Sequence, residues 1–128
     1  MIEQSINNPL KVTCCATFVG SVLYLAGVAP DINTINYDYC PNYPTYFANH
    51  SDKWILITDN TKLQPGDVVL TGSSKRARYG HIEIFAGYVD GYATCLGAGN
   101  NEAISIASPR ECNNIYDNNY FNEAYRYI

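Results

Sequence analysis

Apolar and polar positions alternate along this chain in ways that predict one buried helix followed by several strands. From Thr13 to Leu25 the residues are almost all apolar or small, with Phe18, Val22 and Leu25 on one stripe and Val19 and Leu23 beside it. That width of apolar face predicts a largely buried helix over about residues 14–26, capped by Thr13 and stopped by Gly27 and Pro30. Residues 1–12 are polar and broken by Asn7-Asn8-Pro9. Residues 28–52 are rich in Asn, Asp, Tyr and Pro, and within them 44–49 reads as a short helix.

Strand signals follow. Trp54–Ile57 is a short apolar run closed by Asp59-Asn60, and Pro65-Gly66 is a turn that launches Asp67–Leu70. A strand over 81–86 and its return over 92–96 flank Asp90-Gly91, a two-residue hairpin signal. Ala103–Ile106 alternates as a strand should, and Ala124–Ile128 reads as a last, edge strand. One helix followed by a meander of strands, with no repeat and no internal boundary, gives a single α+β domain over 1–128.

Composition narrows the function. Of the 128 residues 47% are apolar, which excludes disorder as the default, and a net charge of −4 argues against a nucleic-acid surface. No run is long enough to span a membrane, and no signal peptide is expected from Met1–Gln4, though the chain could equally be a domain cut from a longer protein. Lys75–Arg78 forms the one basic cluster, and His50 sits in a polar run that reads as surface. The five cysteines show no C-x-x-C spacing, so a zinc site is not expected and a disulfide framework is weakly supported. Cys40, Cys95 and Cys112 read as core or incidental thiols.

The chemistry gathers at two places. A cysteine in the first turn of a helix tends towards thiolate, and a histidine opening a distant strand can serve as its base. Cys15 and His81 are that pair. A simple Asp90-Gly91 turn would set His81 opposite Asn100, while Glu83, two residues on, would share the face of His81. Either Asn100 or Glu83 could orient the imidazole, and a bulge near Gly97 or Gly99 would change the register.

Three segments together resemble the NlpC-type cell-wall peptidases, a papain-like superfamily that includes the CHAP amidases. Cys15-Ala16-Thr17-Phe18-Val19 is similar to the family's cysteine motif, Leu63-Gln64-Pro65-Gly66-Asp67 to its L-x-P-G-D turn, and Gly80–Gly87 to its histidine strand. They occur in the family order and span about residues 13–100. The resemblance implies a papain-like fold in which the cysteine helix packs on an antiparallel sheet carrying the histidine. It also implies hydrolysis of amide bonds in the peptide part of peptidoglycan, through a thioacyl enzyme, with no metal or other cofactor.

Spacing to Phe18 puts Cys15 in the nucleophile position and Cys14 where the family usually carries Asp. The family's upstream tyrosine and Gly-Gly segment have no counterpart in residues 1–12, which leaves the Cys15 backbone N–H as the named oxyanion donor. The usual third residue would fall near Cys95 or Gly97, so Asn100 or Glu83 must take its place. The tyrosines of 37–47 and the Lys75–Arg78 loop are expected to border the substrate groove. The site of action is expected to be extracellular, at the cell wall. A papain-like toxin or acyl transferase, and a non-catalytic wall-binding module, are the alternatives.

Overall fold

The computed structural model describes residues 15–72, 78–89, 92–98, 108–111 and 113–128. Thr13, Cys14, Asn100, the strand expected over 103–106 and most of the basic loop lie outside them. The architecture is α+β. Helix α1 (Cys15–Leu25) and the short helix α2 (Asn42–Asn49) precede β1 (Trp54–Ile57), β2 (Val68–Thr71), β3 (His81–Val89), β4 (Tyr92–Gly97), β5 (Ser108–Glu111) and β6 (Phe121–Tyr127). The strands form one sheet in the order β1-β6-β2-β3-β4-β5, and every neighbouring pair is antiparallel. Among the described residues no helix is long and apolar enough to cross a membrane.

Helix α1 ends where its glycine demands. Gly27 has φ +78°, and the Gly27 and Val28 N–H groups turn back onto the Tyr24 and Leu23 carbonyls, which satisfies the last turn of the helix. Its buried face matches the expected stripe in part: Phe18, Val19 and Leu23 are buried as expected, Val22 is half-buried, and the face is widened by small residues. Ala16 and Gly20 also go inward, whereas Leu25 is 52% exposed. The small residues on this face admit tyrosines to the helix backbone. A β-carbon at Gly20 would stand 2.5 Å from the Tyr43 hydroxyl and 2.7 Å from the Tyr37 ring. The Tyr43 hydroxyl lies 2.6 Å from the Ala16 carbonyl and 2.7 Å from that of Tyr37, and shares its proton between them. Tyr37, Tyr43 and Tyr46 are therefore core residues, Tyr46 with one edge on a cleft beside His50; Tyr39 alone of that segment's tyrosines is exposed.

The sheet is buried on both faces at its centre. Val68, Leu70 and Ile82 pack under the helices with Phe47, Trp54 and Tyr125, while Val69, Phe85, Ala93, Cys95, Ile115, Phe121 and Ala124 fill the opposite side. Strand β6 runs between β1 and β2, so the chain's last strand is interior, not an edge. An ion pair holds it there. Arg126 grips the fully buried Asp67 with two nitrogens at 2.8 Å, and Asp67 also accepts the Gln64 N–H at 2.8 Å. Such a buried carboxylate is tolerable only with this many donors, which gives the Asp of the L-x-P-G-D turn a structural task.

The β3–β4 hairpin departs from the simple register. Val89, Tyr88 and Gly87 pair with Tyr92, Ala93 and Thr94 as a two-residue turn requires, but Phe85 then pairs with Cys95 and Ile84 with Leu96. Ala86 is the extra residue of a bulge, and Gly87 takes φ +88° with the Pro65 ring 3.1 Å from where its β-carbon would be. The Gly66 N–H to Phe85 carbonyl bond (2.7 Å) and the Phe85 N–H to Asp67 carbonyl bond (2.8 Å) tie the Pro-Gly turn to this point. The register that set His81 against Asn100 does not hold past the bulge. The slip lies on β3, between Phe85 and Gly87.

Candidate active site

Cys15 is the first described residue of α1, and the first turn of a helix leaves backbone N–H groups without intrahelical acceptors. The first residue of β3, His81, stands beside Cys15. The two side chains hydrogen-bond, and the Ile82 N–H also donates to the Cys15 sulfur. Cys40, 25 residues away in sequence, brings its Sγ to 3.6 Å from that of Cys15. Both are thiols, Cys15 half-buried and Cys40 buried. Behind His81, Glu83 Oε1 lies 3.5 Å from Nε2, and the Glu83 side chain is 1% exposed. That distance is at the outer edge of a hydrogen bond, and the carboxylate acts on the ring through both its bond and its charge.

The electrostatics follow from these neighbours. The Cys40 S–H lowers the Cys15 thiol; burial opposes it, and the bond and charge of His81 and the Ile82 N–H add to the lowering, to about 4. Burial pushes His81 down, but its bonds to Cys15 and Glu83, and their charges, outweigh this and raise it to about 9. Between those values the site holds a thiolate beside an imidazolium. That is a nucleophile with a proton donor already at its side.

The approach to His81 is held in an uncommon conformation. Tyr79 has φ +56°, a value a bulky residue adopts only when its surroundings require it. Its N–H donates to Asn122 Oδ1 at 2.8 Å and its hydroxyl to Glu123 Oε1 at 2.6 Å, while the Arg78 guanidinium lies over the ring, 5.1 Å from its centre. Tyr125 donates to the other oxygen of Glu123. Strand β6 thus fixes the bend that delivers the histidine. Arg78, from the basic loop, also sits 3.7 Å from Glu123.

Of the expected site residues, the structure brings Cys15, His81 and Glu83 together, and Asn100 lies outside the described residues. Two participants were missed from the sequence. Cys40 carried no local signal, because only the packing of 37–43 on α1 brings it to the helix start. Tyr79 sits inside the motif region but shows its role only through β6. Cys95, expected to be a thiol, is disulfide-bonded to a partner outside the described residues. Its sulfur belongs to the scaffold on the far face of the sheet.

Among the described residues no group of three or more His, Cys, Asp or Glu is arranged to hold a metal ion. Compared with family models, curated proteins and solved structures, the chain matches none of them.

Proposed function

We propose that this chain is a papain-like cysteine amidase or peptidase, acting on amide bonds in the peptide part of bacterial cell wall. The observation that carries the reading is the Cys15–His81 pair at the start of α1, with a depressed thiol, a raised imidazole and the buried Glu83 carboxylate behind the ring. Cys15 Sγ attacks the carbonyl carbon, and the Cys15 backbone N–H receives the developing oxyanion. Glu83 engages Nε2, which leaves Nδ1 for proton traffic. From there His81 protonates the leaving amine as the C–N bond breaks, giving a thioester. It next takes a proton from the water that hydrolyses that thioester, and a carboxylic acid leaves. Glu83, rather than Asn100, is the ring-orienting group in this reading.

Substrate class rests on the resemblance of the three motifs. The disulfide at Cys95 supports a site of action outside a reducing cytosol. The test is digestion of purified muropeptides followed by mass spectrometry, with Cys15→Ala as control. New free amine and carboxyl termini that depend on Cys15 are expected. Intact muropeptides, together with rapid iodoacetamide labelling of Cys15 near pH 6, would move the chemistry to another amide substrate, as in a toxin or transferase. Equal, slow labelling of Cys15 and Cys40 would leave a binding module.

A further inference from the structure

We propose that Cys15 and Cys40 form a redox-active dithiol that reacts with low-molecular-weight disulfides, Cys15 as the attacking sulfur and Cys40 as the resolving one. The proposal rests on the same Cys15 nucleophile as the hydrolase reading, but not on amide cleavage.

Position assigns the two roles. The sulfurs are already in contact at 3.6 Å, against about 2.05 Å in a disulfide. Cys15 is half-buried and borders the site, whereas Cys40 is only 7% exposed, so a small disulfide meets Cys15 first. The encounter of the two sulfurs is built into the core. Tyr43 clamps the 37–43 segment to the first turn of α1 through the Ala16 and Tyr37 carbonyls, and its own N–H bonds the Cys40 carbonyl at 3.0 Å. The thiolate at Cys15 supplies the form that attacks.

The reaction balances without any further partner. Cys15 thiolate attacks one sulfur of RSSR, the S–S bond breaks, and RS⁻ leaves and takes up a proton. The Cys40 thiol loses its proton and attacks Cys15 Sγ in the mixed disulfide, expelling the second RS⁻. The protein loses two hydrogens and two RSH are formed. The oxidised chain has its nucleophile capped, so hydrolysis would stop until a reductant reopens the bond.

The experiment treats the full chain with oxidised glutathione under native conditions, and reads intact mass and a non-reducing peptide map. The expected product carries no glutathione and contains a Cys15–Cys40 linked peptide, and dithiothreitol removes the link. Cys40→Ser should stop at a single glutathione on Cys15, and Cys15→Ser should leave Cys40 unmodified. Wild-type protein that keeps glutathione on Cys15 without the link overturns the proposal, and so does a Cys40 link that still forms in Cys15→Ser. The wild-type map needs no variant to fold. If the reduced protein cleaves no muropeptide while the link forms, the hydrolase reading fails and the dithiol stands; the reverse result separates them the other way.

Discussion

The chain has two histidines, and each stands beside a carboxylate and an aromatic or sulfur neighbour, yet the two sites are built for opposite ends. His50 is bound at both ring nitrogens: Nδ1 lies 2.8 Å from the Tyr46 carbonyl and Nε2 lies 2.7 Å from Asp31 Oδ2. Both acceptors are oxygens, so both nitrogens must donate and the ring is held as imidazolium at the C-terminal end of α2, where a positive charge is favoured. Tyr46 stacks on it at 4.2 Å and donates to the other oxygen of Asp31 at 2.5 Å. Nothing is left for a substrate, although a cleft of about 340 Å³ lined by Thr34, Asn36, Asn49 and His50 among others opens beside it. His81 has the looser carboxylate contact, a deeper position and a thiol. Short, saturated contacts make a clasp. A ring whose neighbours are a thiol and a carboxylate suits proton transfer in the proposed reaction.

Replacing the reacting groups should break this contrast most sharply. Cys15→Ala and His81→Ala should each lower muropeptide cleavage by on the order of 10³-fold or more, while His50→Gln leaves kcat within about twofold. Cys14→Ser should retain most activity, since adjacent helical residues are about 100° apart and cannot both face His81. An active Cys15→Ser beside a dead Cys14→Ser would shift the nucleophile by one residue.

The carboxylate behind the ring comes next. Glu83→Gln should cut kcat by about tenfold with little change in KM, and should move the basic limb of the pH–rate profile down from near 9. The sign follows from the charge: Glu83 favours the imidazolium, so its loss lets His81 deprotonate at lower pH. A larger loss in Asn100→Ala, with the basic limb unmoved, would give the orienting role to Asn100.

Cys40→Ala should act on the other limb. Without the Cys40 S–H the Cys15 thiolate loses a donor, so the midpoint of iodoacetamide labelling against pH should rise from near 4, and Cys40→Ser should restore part of the shift. An unchanged midpoint would leave His81 and the Ile82 N–H as the groups that set it.

The smallest effect belongs to His50. Its pKa is raised: the Tyr46 carbonyl is the largest cause, burial opposes it, and Asp31 adds its bond and charge. The clasp is therefore fully formed below the ordinary value of 6.5 and fades as pH rises through the raised one. His50→Gln should cost about 0.2–1 kcal/mol at acidic pH and less above, because both partners are partly exposed. Chemical denaturation at two pH values measures it, and an equal loss at both would mean the imidazolium is not what binds Asp31.

Local signals made a good part of this molecule legible in sequence. The helix over Cys15–Leu25 with its glycine stop, the run Trp54–Ile57, the Pro65-Gly66 turn and the long hairpin arms each depend on neighbours within a few residues. So did the nomination of Cys15 and His81, through their places at a helix start and a strand start. Tertiary structure decided what those pieces face. The inward side of α1 widens over Gly20 and Ala16 because Tyr37 and Tyr43 need the space, which no helical periodicity of α1 itself records. Strand β6 is interior, paired with β1 and β2 and tied across 59 residues of chain by Arg126 on Asp67, and a strand's apolar pattern does not name its neighbours. The bulge at Ala86, beside a Gly87 at positive φ with no room for a β-carbon against Pro65, takes His81 out of the register a two-residue turn would impose. Cys40 reaches Cys15 only through the packed loop that carries it. Periodicity reports the environment of a segment along its own axis; which distant side chain supplies that environment is settled only when the segments pack.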